Sequence, residues 1–155
     1  MDPAIEIDAV EYRWPGSASA TLAIDGFRLE RGSSCFLSGR SGTGKSTLVK
    51  LLAGLLVPDR GSVRILGTAL EDLGGRARDA FRARHVGIVF QQFNLVPFLD
   101  VRSNLRLAAR LAGTAPSDLQ GRTEALFRHL ALPAAILERR ADRLSVGQQQ
   151  RVAIA

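Results

Sequence analysis

The sequence is poor in sulfur, in lysine, and in aromatic residues other than phenylalanine. Its single cysteine, Cys35, excludes a disulfide framework. The apolar neighbours Phe36 and Leu37 predict a small buried core residue there, in a reducing compartment. Long hydrophobic runs are absent. The most apolar stretch, residues 48–57, is interrupted by Lys50 and is too short to span a bilayer. The first six residues lack the basic region and apolar stretch of a signal peptide, so a cytoplasmic chain is expected, with any membrane association made through a partner. Of 21 cationic residues only Lys45 and Lys50 are lysine, and the arginines form no run longer than Arg139-Arg140. That scatter describes a solvated surface rather than a basic stripe, and no nucleic-acid partner is expected.

What is present is an ordinary globular composition, 46% apolar and 23% charged, with one domain's worth of chain at 155 residues. Ile5, Ile7 and Ala9 alternate with Glu6, Asp8 and Val10, predicting a half-buried strand. Trp14-Pro15-Gly16-Ser17 has turn chemistry, and residues 21–29 alternate again around Asp25-Gly26, a hairpin or bulge candidate. Short apolar strands are predicted at 34–38, 63–65 and 85–90. Helices are predicted from Gly44 up to Gly54, over 75–84, and as amphipathic segments at 101–113 and 123–132. The order is strands, then strand-loop-helix, then a helical block, which points to an α/β core with a helical insert.

Gly39-Arg40-Ser41-Gly42-Thr43-Gly44-Lys45-Ser46 fits G-x-x-x-x-G-K-[ST] in full, after a predicted strand and at the opening of a helix that continues through Thr47. The chemistry requires these residue types. Glycines let successive N–H groups turn inward to phosphate oxygens, and the helix start adds its positive dipole end. Lys45 can reach β- and γ-phosphates, and the Ser46 hydroxyl can ligate Mg²⁺. By itself the motif says P-loop NTPase, which covers kinases, GTPases, helicases and transporters. A nucleoside triphosphate with Mg²⁺ is the expected ligand.

Three ordered stretches narrow the class: this loop, Phe90-Gln91-Gln92-Phe93-Asn94-Leu95-Val96-Pro97, and the closing Leu144-Ser145-Val146-Gly147-Gln148-Gln149-Gln150-Arg151. Together they resemble ATP-binding cassette (ABC) transporter ATPases, with the wording of the middle stretch closest to lipoprotein and macrolide exporters. The resemblance implies ATP as the nucleotide, on a P-loop NTPase core with an antiparallel β-subdomain over 1–92, an α-helical subdomain over 93–143, and the signature with its helix start over 144–155. It implies that Gln91 (or Gln92, one position on) reaches Mg²⁺ and the attacking water. It implies an aromatic stacked on adenine, Trp14 by position or else Tyr12. Ser145, Gly147 and Gln148 would meet ATP held by a second ATPase subunit in a head-to-tail homodimer. The loop 93–99 would border the groove for a membrane permease, placing the protein on the inner face of the cell membrane. Val146 departs from the family's glycine, and its β-branched side chain is expected to weaken dimer closure. His85 and His129 carry no expected role. Locally, Ser145-Val146-Gly147-Gln148 is an S-x-x-Q capping box.

No apolar run leads into Asp-Glu anywhere in the 155 residues; Ala134-Ala135-Ile136-Leu137-Glu138 is the nearest imitation. The resemblance therefore implies a partial chain, without the C-terminal part of the core that carries the catalytic carboxylates, and without turnover by itself. The competing expectations are a truncated module that binds ATP without cleaving it, a soluble ABC ATPase outside transport, and a small-molecule kinase on the same loop. A sheet lacking a central strand leaves unpaired edges. The 155-residue chain is accordingly expected to be poorly stable or aggregation-prone alone. A cooperative thermal transition of a monodisperse monomer would refute this.

Overall fold

The structure is a computed structural model and describes residues 2–155, apart from the side chains of Pro116 and Ser117. Its elements run β1 (Ile5–Tyr12), β2 (Leu22–Leu29), α1 (Lys45–Leu52), β3 (Arg60–Ile65), β4 (Thr68–Ala69), α2 (Gly75–His85), α3 (Val101–Leu111), α4 (Pro116–His129) and α5 (Val146–Ile154). Two 3₁₀ turns, Ala134–Glu138 and Ala141–Arg143, precede α5. The chain divides into two compact units, Met1–Arg82 and Ala83–Ala155.

In the first unit a four-stranded antiparallel sheet has the order β2-β1-β3-β4. The alternation of β1 starts as the sequence suggests, with Ile7 buried, and then changes parity: Val10 is fully buried while Ala9 is exposed. The cause is a bulge. The β1–β3 register shifts between Asp8 and Glu11, and Ala9 takes a positive φ of 45°. Opposite it, Gly61 is held at φ 76°, and a Cβ there would lie 2.2 Å from the Ala9 carbonyl oxygen. Only glycine fits that approach. The extra residue puts Val10 and Tyr12, in place of Ala9, into a core with Ile7, Leu51, Val63, Ile65 and Leu70. The irregularity thus belongs to β1. At the expected Asp25-Gly26 position β2 continues unbroken, with Gly26 opposite Asp8.

Two other expectations are corrected. Residues 34–38 and 86–90 form no strand, and Cys35 is exposed beside a Phe36 that is 90% accessible. Val89 and Phe90 are exposed as well. Apolar composition gives a segment strand propensity, but a strand exists only when its N–H and C=O groups meet a neighbour. Among the described residues these two segments join no sheet.

The second unit is helical around Val101, Phe127, Leu132, Ile136, Leu144 and Val152. Asp100 caps α3, its carboxylate accepting from the Ser103 amide at 2.6 Å. Ser103, through side chain and backbone, holds the Asp100 carboxyl below the usual carboxylate range. The neighbouring Asn104 is buried and serves the loop before the helix. Its Oδ1 accepts from the Val96 amide at 2.7 Å, and its Nδ2 donates to the carbonyls of Val96, Leu99 and Asp100 at 3.1, 3.3 and 3.0 Å. One side chain thereby shapes residues 96–100. Asn104→Ala leaves the Val96 amide unpaired and should cost about 1–3 kcal/mol. Limited proteolysis of the 155-residue chain checks this, and an unchanged cleavage rate would mean that the loop holds itself.

Candidate nucleotide site

The segment 33–43 leads into α1 as an exposed loop, and the loop is closed by its own lysine. The Lys45 ammonium donates to the carbonyls of Gly39 at 2.7 Å and Arg40 at 2.5 Å, and lies 3.4 Å from the Thr43 hydroxyl. Thr43 Oγ1 in turn donates to the Arg40 carbonyl at 2.9 Å. The helix opens at Gly44, which is left-handed with φ 84° and provides no side-chain cap. A Cβ on Gly44 would sit 3.0 Å from the Thr21 carbonyl oxygen and 3.2 Å from Leu22. The turn into α1 therefore requires glycine for both its backbone angle and its space.

No acidic residue occupies the first turn of α1, so its positive end is not neutralised from within. Ser46 is exposed at that end, whereas the Thr47 side chain is buried. A loop of this curvature with a lysine, an exposed hydroxyl and a bare helix start suits a polyphosphate with a divalent cation.

Trp14 lies in the same unit. The turn expected at 14–17 forms, with Ser17 N–H donating to the Trp14 carbonyl at 3.0 Å and Gly16 at φ 83°. Tyr12 is buried and presents an edge contact to Trp14, ring centroids 5.3 Å apart at 89°. Trp14 is 38% exposed and is the aromatic with ring surface to offer. Lys50, from α1, stands over its ring at 5.3 Å from the centroid. The sequence carries no signal for that contact, which joins positions 36 apart; Lys50 there only interrupts an apolar run.

The second unit holds the other candidates. Gln91 and Gln92 are both exposed on a turn, where the Asn94 amide bonds back to the Gln92 carbonyl. At α5 the capping box forms: Gln148 N–H donates to Ser145 Oγ at 3.3 Å, and Ser145 N–H donates to Gln148 Oε1 at 3.1 Å. Val146 is the first helical residue and is 71% exposed. It is not among the positive-φ residues, so its backbone takes a conformation open to any residue. Below it the helix is moored. Arg151 donates to the carbonyls of Leu130 and Ala131 at 3.2 Å each, and Gln149 donates to Ala141 at 3.0 Å. The next side chain, Val152, is buried.

The glycine-lysine loop at a helix start, on a unit with an antiparallel sheet, defines a P-loop nucleotide-binding protein. Residues 23–155 match the ABC transporter family model, and the chain belongs to that family. Among curated relatives, the uncharacterized ABC transporter ATP-binding protein YbbA of Escherichia coli strain K12 is 41% identical over 82% of this chain and 55% of its own length. The lipoprotein-releasing system ATP-binding protein LolD of Maricaulis maris is 38% identical over 99% of this chain and 68% of its own length. The macrolide export ATP-binding/permease protein MacB of Hahella chejuensis is 36% identical over 99% of this chain and 24% of its own length. Thus the chain spans just over half the length of the YbbA relative.

A dimeric ATP-binding cassette solved in a post-hydrolysis state with ADP and Pi superposes with a TM-score of 0.83. It is 28% identical over 97% of this chain and 67% of that one. The expected fold class, an ABC-type α/β cassette, is borne out by this likeness. No helix among the described residues is long and apolar enough to cross a membrane.

Replacing Gly44 by alanine imposes both the φ 84° strain and the Thr21 approach. We expect a loss of about 1–3 kcal/mol of stability, read from the rate of limited proteolysis, whereas Gly42→Ala, with open space around its Cβ position, meets only the backbone strain.

Proposed function

We propose that this chain is the nucleotide-binding portion of an ABC exporter ATPase. Mg-ATP binding and hydrolysis at a head-to-tail dimer would be coupled through a transmembrane permease to substrate export, at the inner face of the cell membrane. The observation that carries the reading is the loop closed by Lys45 against Gly39 and Arg40 at an acid-free helix start.

Each residue then has a task that its chemistry allows. The amides of the 39–44 loop and the start of α1 bind phosphate oxygens. Lys45 exchanges its carbonyl partners for the β- and γ-phosphates, and Ser46 offers a hydroxyl to Mg²⁺. Bound Mg²⁺ would neutralise charge developing on the phosphates. Trp14 stacks the base. Gln91 orients water near the metal, a role it carries by resemblance. Ser145, Gly147 and Gln148 address nucleotide on a second subunit, with Val146 adding bulk where contact is closest. The clamped loop 96–100, with Phe98 68% exposed, offers apolar surface to the permease.

A second reading is favoured by the absence of any apolar run ending in Asp-Glu among these 155 residues: the chain binds Mg-ATP and does not turn it over alone. A soluble ABC ATPase outside transport has no feature of this sequence in its favour.

The test is equilibrium binding of Mg-ATP with parallel phosphate-release measurements. Lys45→Ala should weaken binding at least about tenfold, since charge-assisted hydrogen bonds are lost. Neither protein should release phosphate. Undiminished binding by the variant would sink the phosphate-loop assignment, and sustained phosphate release by the wild type would sink the no-turnover reading.

A further inference from the structure

Trp14 is held by two ring contacts and a fixed neighbour, which leave part of it open. Its neighbour Arg13 is fixed by its own N–H, which donates to Asp59 Oδ2 at 2.7 Å. Tyr12 abuts Trp14 in a T-shaped contact. The Lys50 ammonium covers the ring at 5.3 Å, within the reach of a cation–π contact. Beside the ring lies a cleft of about 460 Å³ lined by Tyr12, Trp14, Pro15, Gly16, Asp59 and Arg60. That volume falls within the usual size of ligand clefts, about 300–1,000 Å³. Lys50 is not among the residues that line the cleft; its ammonium reaches the ring from α1.

From this arrangement we propose that Lys50 is a positioning residue for the nucleotide base: its cation over the ring holds the Trp14 indole so that the remaining open ring surface can receive a purine. The inference rests on the nucleotide reading above and adds to it a residue with no phosphate role. Lys50 and Lys45 stand five residues apart on α1, a rise of about 7.5 Å. One rigid helix therefore carries both the ligand of the phosphate end and the support of the base end. An indole that is 38% exposed would otherwise sample several rotamers and lose that freedom on stacking. A cation held over the ring removes part of this cost before the ligand arrives.

Trp14 is the only tryptophan, so intrinsic fluorescence reports on this ring alone. The experiment compares the wild-type 155-residue chain with Lys50→Met, which keeps the aliphatic stem, and Lys50→Arg, which keeps the cation. Acrylamide quenching of Trp14 is measured together with affinities for Mg-ATP and Mg-tripolyphosphate. Lys50→Met should raise the quenching constant and weaken Mg-ATP about two- to fivefold, with tripolyphosphate unaffected. Lys50→Arg should retain wild-type values.

If Lys50→Met leaves quenching and Mg-ATP affinity unchanged, the positioning role is overturned. Equal weakening of ATP and tripolyphosphate also overturns it, because Lys50 would then act on the phosphates. A wild-type chain that binds neither ligand overturns the nucleotide reading itself. A chain that binds both, with Lys50→Met silent, overturns only the part assigned to Lys50.

Discussion

Backbone polar groups must find partners, and in this protein that requirement shapes the site as much as the scaffold. Residues 39–43 lie in no helix or strand, and Lys45 supplies donors to two of their carbonyls, tying Gly39 and Arg40 together. The same solution recurs in the helical unit. Asn104 serves the peptide groups of 96–100, Arg151 the carbonyls of Leu130 and Ala131, and Gln149 the carbonyls of Ala141 and Leu144. Long polar side chains hold irregular backbone where regular structure stops. Of the segments so held, the 39–44 loop and residues 96–100 carry roles in the proposed scheme.

The sheet obeys the same rule. Antiparallel neighbours β1, β2, β3 and β4 satisfy one another, and the single misfit, Ala9, is absorbed by a bulge against Gly61. Residues 34–38 and 86–90 have the composition of buried strands but no strand to pair with among the described residues, and they remain irregular and largely exposed. Hydrophobic pattern states what a segment would bury. It does not supply a hydrogen-bonding neighbour.

The candidate site divides along similar lines. Glycine and lysine at the phosphate loop, and serine with glutamine at α5, are readable because their partners lie within a few residues. The i to i+3 geometry of a capping box and the span of a phosphate loop are properties of local chain. The turn at Trp14 is readable for the same reason, since Pro15 and Gly16 satisfy its dihedral needs. Asn104 gave no comparable signal, because its clamp depends on where a preceding loop passes. The choice between Tyr12 and Trp14 likewise depended on burial, which places one ring in the core and leaves the other accessible.

The sequence by itself determined the family, the phosphate loop, the capped start of α5 and the approximate places of the helices, since each is encoded by residues close together in the chain. Only the tertiary structure decided that Val10 rather than Ala9 faces the core, that Cys35 lies exposed and that Lys50 covers Trp14. Those outcomes depend on strand register, on missing strand neighbours and on a contact between an α1 side chain and the turn after β1, none of which is specified by neighbouring residues in the chain.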